Sequence, residues 1–292
     1  GAGNEQELKK SMWVSFLFVG AVTVLMNVAV FIWTEPVLHL LRIPKEVYPL
    51  MYTYIRIIFA GIMFTFLYNY FSCLLRAIGN SVVPLWFLAV SSVLNIILDI
   101  WFVAGMNRGV GGAAEATVIA QAVSGIGIAG YTILKVPFLR LKKEHMHMER
   151  ETLNRVVQYS MLTCAQQSVM NFGILMIQGL VNSFGTVIMA AFAVAVKIDT
   201  LAYMPAQEFG NAFSLFISQN YGAKRYDRIR KASGLAVKVS AGFCVAVSVL
   251  VWVFAAPLIR IFLSGAEPEI VCAGVHYLHI AVSYTHLTLP TN

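Results

Sequence analysis

The segment that decides the fold occurs twice, as GAGNEQELKKSMWVSFLFVGAVTVLMNVAVFIWTEPVLHLL at residues 1–41 and as GAKRYDRIRKASGLAVKVSAGFCVAVSVLVWVFAAPLIRIF at residues 222–262. The copies are 221 positions apart, and Pro36 in the first matches Pro257 in the second. Each runs from a charged loop through a long apolar stretch to a proline. This period is too long for a solenoid repeat. It is typical of half a transporter, in which two homologous bundles face one pathway.

The composition indicates a membrane protein. Hydrophobic residues make up 59% of the chain and charged residues 12%, whereas soluble domains carry roughly 25% charge. The apolar stretches have the length of bilayer-spanning helices, about 20 residues, and lie at 12–34, 50–73, 84–105, 110–135, 157–181, 187–217 and 234–262. An eighth begins near residue 269. Since these runs lack the alternation of a membrane barrel, we predict an all-α multi-pass protein with seven complete spans and a partial eighth.

The distribution of Lys and Arg predicts the orientation. Fifteen of these residues lie in or beside the loops 1–11, 74–83, 136–156 and 218–233, against four in the opposite loops. By the positive-inside rule the first set is cytoplasmic. The repeat copies begin six spans apart, so both enter the membrane in the same direction and the six-helix repeats are parallel. The net charge of +7 is thus explained without a nucleic-acid partner.

The longest loop divides the chain. We predict that residues 1–135 form four helices of a first bundle, that 136–156 is a cytoplasmic linker able to touch anionic lipid headgroups, and that 157–281 begins a second bundle. His145 and His147 lie in the linker, but no further ligand accompanies them, and we predict no metal site.

Ionisable groups inside spans are costly and therefore mark candidate functional sites. The sixth span carries Glu208, our first candidate for a proton- or cation-coupling acid, together with Asp199, Lys197 and Asn211 around Pro205. The third span carries Asp99, a second coupling candidate that could instead cap a neighbouring helix. Lys197 and Asp199 could alternatively form a buried structural pair.

Amide side chains supply the candidate substrate pathway. Thr163, Gln167, Asn171 and Gln178 form one polar stripe on the fifth span, because steps of four and seven residues return to the same helical face. Such a stripe could bond cargo or bond neighbouring helices. The pathway candidates are Gln167, Asn171, Gln178, Asn211, Asn95 and Lys197.

Three stretches resemble the multidrug and toxic compound extrusion (MATE) family. They are LYNYFSCLLRAIGNSVVPL at 67–85, NIILDIWFVAGMNRGVGGAAEATVIAQ at 95–121, and AFAVAVKIDTLAYMPAQEFGNAFSLFISQNYGAKR at 191–225. The resemblance implies twelve helices in two bundles and secondary active efflux of drugs or toxic metabolites by Na⁺ or H⁺ antiport with alternating access. It also implies small, often cationic organic substrates, a monomer in the inner (plasma) membrane, and no cofactor beyond the coupling ion.

The repeat period predicts a chain truncated at both ends. It places the start of the first half about 66 residues before Gly1 and the end of the second about 85 residues beyond Asn292. Residues 282–292, VSYTHLTLPTN, replace the apolar continuation of the first copy. Their coding sequence would resemble a transposon-type sequencing adapter, and we expect this tail to be non-native.

Other function classes receive less support. Gly125, Gly127 and Gly130 spell GxGxxG inside an apolar span, where we expect close helix packing rather than dinucleotide binding. There is no Walker A, HExxH or nucleophile-elbow motif, so no enzyme is predicted. Alternatives are a lipid-linked oligosaccharide flippase, for which Arg56 and Lys197 would be the candidate cations, and a non-transport membrane scaffold.

Overall fold

The computed structural model describes residues 4–40, 47–142, 145–181, 184–262 and 268–288, and its regular elements there are all helical. The α-helices of this described part are α1 (Glu5–Leu40), α2 (Tyr48–Ala60), α3 (Ile62–Ala77), α4 (Val82–Asp99), α5 (Gly109–Lys135), α6 (Arg150–Val181), α7 (Thr186–Gly222), α8 (Tyr226–Phe262) and α9 (Pro268–Thr288). A π-helical turn, Ile100–Gly105, extends α4, and a 3-10 turn, Pro137–Leu139, follows α5.

Each predicted span coincides with a helix or a helix pair. In the described residues α1, α4 with its π-turn, α5, α7 and α8 are long and apolar enough to cross a bilayer. The span predicted at 50–73 is broken: α2 and α3 meet at Gly61 with a bend of 45° and would together make a sixth crossing. α6, which corresponds to the span predicted at 157–181, is not among these helices. Its polar stripe lowers its mean hydropathy. The all-helical class is confirmed, and the count of seven spans in a twelve-helix transporter stays a prediction.

Each copy of the repeat forms one long helix with a proline inside it. α1 has 36 residues and contains Pro36, and α8 has 37 residues and contains Pro257. Proline lacks the N–H that would bond the carbonyl four residues earlier. In α8 the helix is kinked three residues before the proline, at Phe254, whose φ is −101° and ψ is 16°.

The chain forms two compact units, Asn4–Tyr159 and Ser160–Asn292. In the first, α5 packs against α2, α3 and α4, and α1 packs against α2 and α3. A Cβ on Gly125 would collide with the backbone carbonyl of Phe64, and one on Gly127 would lie 2.6 Å from the Phe87 ring. Gly125 and Gly127 therefore provide close helix packing, as predicted, whereas a Cβ on Gly130 would meet nothing within 4 Å.

Ion pairs connect the beginning of α1 with the chain around the beginning of α6, within the first unit. Lys10 Nζ lies 3.7 Å from Glu149, and Arg155 lies 3.9 Å from Glu7. All four side chains are about half exposed, so each pair is worth only about 0–1 kcal/mol. α6 already begins at Arg150, inside the predicted linker 136–156, and the division of the chain into bundles and linker stays a prediction.

The second unit is built on α7, α8 and α9, which pack against one another pairwise. Small and β-branched side chains fill its core: Val194, Ala195, Ile198, Ala202, Val251, Ala255, Ile259, Val271 and Leu278. In the predicted non-native tail, the backbone continues α9 as far as Thr288. The side chains from residue 282 onward, and all of residues 289–292, lie outside the described part, so the origin of the tail stays a prediction.

Candidate functional site

A line of polar side chains on α4 faces α5 in the first unit. Ser91 and Asn95 are four residues apart and therefore share a helical face. Ser91 Oγ donates a hydrogen bond to the Ala120 carbonyl at 2.9 Å, and Asn95 Nδ2 donates to Thr117 Oγ1 at 3.4 Å. The Thr117 hydroxyl in turn donates to the Ala113 carbonyl at 2.9 Å. These bonds give the α4–α5 contact a polar strip across two apolar helices.

Asp99 continues this face one turn further along α4. Its side chain is half-buried, and its Oδ1 is buried without a hydrogen-bond partner among the described residues. Leaving a buried acceptor unsatisfied costs about 1–3 kcal/mol, and more when the group is charged. A proton or a cation on this oxygen would remove that cost. The carboxyl group is therefore chemically suited to bind either.

The backbone is irregular directly after Asp99. Residues 100–105 form the π-turn, in which Met106 N donates to the Trp101 carbonyl at 2.9 Å. Single π-turns within helices are rare and frequently occur at functional sites. Arg108, just beyond the turn, pairs with Glu115 of α5, so the charge of Glu115 is balanced and Asp99 remains the candidate acid of this region.

The candidates on α7 are separated in the structure. Lys197, Glu208 and Asn211 are exposed at the surface of the second unit, whereas Asp199 is half-buried. Asp199 acts electrostatically on Tyr277 of α9. Within this unit the apolar residues beside Glu208 face outward as well. Its role in coupling stays a prediction.

A small cavity lies beside Pro205 of α7. Pro205 and Phe209 of α7, together with Ser240 and Phe243 of α8, line a space of about 160 Å³. Because Pro205 cannot donate to the Leu201 carbonyl, this stretch of α7 carries a weakened backbone hydrogen-bond ladder beside a void. Glu208 lies one turn further along the helix.

The amide stripe of α6 is exposed along nearly its whole length. Thr163, Gln167 and Asn171 are exposed, and Gln178 is half-buried. Among the described residues no other helix packs along α6 to more than a marginal extent. The role of the stripe in the substrate pathway stays a prediction.

The sequence reasoning missed Thr117 as the partner of Asn95. In an antiparallel helical hairpin, residues equally far from the connection lie opposite each other. Asn95 and Thr117 are each eleven positions from Met106, at the end of the π-turn. That symmetry was readable from the sequence. The bond from Thr65 to Gln121, 2.6 Å long, joins helices that are not consecutive and left no such signal.

Comparison with known proteins identifies the family. The family model MatE matches residues 1–101 and 160–292. This chain belongs to the MATE family. It is 32% identical over 252 residues to a protein named "Probable multidrug resistance protein YpnP" from Bacillus subtilis (strain 168), covering 85% of this chain and 55% of that protein.

Two further comparisons agree. A second protein of the same organism, "Probable multidrug resistance protein YoeA", is 28% identical over 281 residues, which cover 91% of this chain and 59% of that protein. An outward-facing structure described as a multidrug resistance MATE family transporter superposes with a TM-score of 0.91 at 20% identity, over 99% of this chain and 64% of that one. The MATE chain thus spans somewhat more than half the length of these curated relatives, and it is a multi-pass membrane protein.

Proposed function

We propose that this MATE chain is part of a secondary active transporter that exports small, often cationic, organic compounds from the cell in exchange for H⁺ or Na⁺. Its family membership and the two relatives named as multidrug resistance proteins support this function. The protein acts in the plasma membrane, as a monomer, with residues 136–156 on the cytoplasmic side. Alternating access would move the substrate between the two faces.

One observation carries the coupling part of this proposal. Asp99 Oδ1 is buried and lacks a hydrogen-bond partner in the described residues, beside the Asn95–Thr117 bond and directly before the π-turn. When Asp99 is ionised, a half-buried charge lies at the α4–α5 contact with its Oδ1 unsatisfied by the described residues, which is unfavourable in a low-dielectric environment. A bound proton or Na⁺ neutralises it. Loading and unloading of this carboxyl group would then favour different conformations of the α4–α5 hairpin.

Glu208 and Asp199 remain coupling candidates in the second unit. The exposed amides Gln167, Asn171 and Asn211 and the half-buried Gln178 remain candidates for the substrate pathway, as do Asn95 and Lys197. A flippase for lipid-linked oligosaccharides receives less support. Arg56 donates to the Tyr52 hydroxyl at 2.7 Å and stacks on Phe31, so one of the two cations available for a pyrophosphate is already engaged.

The test is drug efflux from an efflux-deficient bacterial host that expresses the complete gene. We expect Asp99→Asn to abolish drug resistance and drug-driven H⁺ or Na⁺ movement in membrane vesicles. The matched control is Asp227→Asn, an exposed acid in the first turn of α8, which should behave as wild type at equal expression. Measuring vesicles with and without Na⁺ at two pH values identifies the coupling ion.

Two outcomes would contradict the proposal. Undiminished resistance with Asp99→Asn would remove Asp99 from the coupling mechanism, and Glu208→Gln would then be the next variant to measure. If wild-type protein at normal expression exports no organic cation under any ion gradient, the efflux function itself is wrong.

A further inference from the structure

A cavity of about 340 Å³ lies in the first unit, where the beginning of α1 meets the ends of α3 and α5. Its wall is largely apolar and includes the aromatic side chains of Trp13 and Phe16 from α1 and of Tyr70 and Phe71 from α3. The chain that follows α5, residues 139–141, closes one side. The volume is at the lower end of the range for small-molecule sites, about 300–1,000 Å³.

The interior of this cavity offers little hydrogen bonding. The Tyr70 hydroxyl donates to the Met12 carbonyl at 2.6 Å, and the Thr132 hydroxyl donates to the Ile128 carbonyl at 2.7 Å. The hydroxyl groups of the wall are therefore already bonded to the protein backbone. What remains is aromatic and aliphatic surface, which favours a hydrocarbon chain over a polar ligand.

The rim carries a cation that the backbone holds in position. Arg140 Nε donates to the Ile133 carbonyl at 2.8 Å, and its Nη2 donates to the Leu134 carbonyl at 3.0 Å. These are carbonyls of the last turn of α5, which have no partner within the helix. A guanidinium has five N–H donors. Its Nη1 has no partner among the described residues, so it can bind an anion without rearrangement.

The chain segment that forms the rim is basic, and Glu5 of α1, which interacts electrostatically with Lys142, is paired with Lys9. The C-terminal end of a helix repels anions through its dipole. Three basic residues, however, lie close together in the sequence here: Lys135, Arg140 and Lys142. No acidic residue occurs from Thr132 to Lys142. A phosphate is therefore attracted to the same place at which a hydrocarbon chain can enter the wall.

We propose that this cavity binds one acyl chain of an anionic phospholipid, whose phosphate is held by Arg140. The protein is a membrane protein, so such a lipid is available in the leaflet beside the cavity, and basic residues at a bilayer surface attract anionic lipids. The site would fasten the chain after α5 to the helical bundle through a lipid molecule. It is independent of the transported substrate and of the coupling ion.

Native mass spectrometry of the purified full chain in detergent tests the proposal. The chain is titrated with phosphatidylglycerol and with phosphatidylcholine of identical acyl chains. We expect one phosphatidylglycerol to be retained, with at least fivefold preference over phosphatidylcholine, because a basic residue beside an anionic surface contributes about fivefold in affinity. Equal retention of the two lipids, or a bound detergent that neither lipid displaces, would refute it.

Three variants locate the site. Arg140→Gln should lose the preference for phosphatidylglycerol, whereas Arg140→Lys should keep most of it, because lysine binds phosphate as a point charge. Leu74→Trp, which fills the cavity, should lose retention of both lipids. The matched control Lys231→Gln removes an exposed cation from α8 and should not change the retention of either lipid.

Thermal unfolding with and without lipid shows whether each variant is folded. A folded Arg140→Gln or Leu74→Trp protein that still retains phosphatidylglycerol as the wild type does would overturn the proposed site. If Arg140→Gln does not fold, the lipid retention of Arg140→Lys and Leu74→Trp tests the proposed site. An equal loss with Lys231→Gln would show general charge attraction instead and would also overturn it.

Discussion

The guanidinium of Arg56 lies 5.3 Å from the centre of the Phe31 ring in the first unit. An equivalent pair occurs in the second unit, where the rings of His279 and Trp252 are stacked with their centres 4.9 Å apart. Phe31 and Trp252 are 221 positions apart, and Arg56 and His279 are 223 apart. The first number is the offset of the repeat, and the second follows from a two-residue slip after which Tyr54 and Ile57 match Tyr277 and Ile280. The two copies therefore share a contact as well as a sequence pattern.

We predict that the first of these pairs is measurably coupled. A cation over an aromatic ring at an exposed site contributes about 0.5–1 kcal/mol. A double-mutant cycle of Phe31→Leu and Arg56→Gln, measured by thermal unfolding in detergent, should show a coupling energy of that size. Strict additivity of the two substitutions would mean that the stacking is geometrically close but energetically neutral.

The second pair includes a hydrogen bond, and we predict that the two contributions can be separated. His279 Nε2 lies 3.1 Å from the Trp252 carbonyl, and because a carbonyl only accepts, the ring nitrogen must donate. His279→Phe keeps the stacking and loses the bond, so it should destabilise by about 0.5–1.5 kcal/mol. His279→Ala loses both and should destabilise more, again by thermal unfolding. Equal effects would mean that the ring contact contributes nothing.

The glycines of α5 lead to a prediction about stability, and the same helix provides the control. Gly125→Ala places a methyl group against the Phe64 backbone, which cannot move aside, and should destabilise by about 1–3 kcal/mol. Gly130→Ala is the control, since a Cβ there meets nothing within 4 Å. Alanine also favours helix formation over glycine by up to about 1 kcal/mol, so this variant should be neutral or more stable. A reversed order of the two melting temperatures would contradict the packing described for α5.

The Asn95–Thr117 bond leads to a prediction about transport. Thr117→Val retains the shape of the side chain and removes the hydroxyl that accepts from Asn95. A lost hydrogen bond of about 1 kcal/mol should reduce drug-driven ion movement about fivefold while expression stays normal. Thr200→Val on α7 is the control, because the exposed Thr200 hydroxyl bonds only its own helix, at the Val196 carbonyl. Equal transport by both variants would place Thr117 outside the coupling region.

Hydropathy predicted where the helices lie, because the position of an apolar run depends only on local sequence. The break at Gly61 was not predicted, since the length and apolar character of residues 50–73 fit one continuous span. A Cβ on Gly61 would lie 2.6 Å from Val118 of α5, a contact that hydropathy does not reveal. The π-turn after Asp99 was not predicted either, because the sequence IWFVAG is compatible with an ordinary α-helix.

The environment of each candidate acid was harder to predict than its position. Glu208 lies on a helix that is apolar on several faces, and the sequence of such a helix does not reveal which face packs. The proximity of Asp199 to Tyr277 depends on how α7 meets α9. Charge, proline and amide spacing thus identified candidate residues, whereas their partners came from tertiary packing.

The π-turn at Ile100–Gly105 has a consequence for how the chain length can change. Such a turn accommodates one residue more than the α-helical turn it replaces. Deleting one residue there would leave an unbroken α-helix, with the residues on both sides close to their present positions. A deletion between Asn95 and Asp99, or between Gly109 and Thr117, would instead rotate one member of the bonded pair by about 100° and shift it by about 1.5 Å relative to the other. The segment directly after Asp99 is thus a place where the chain could lose a residue while the two helices keep their register.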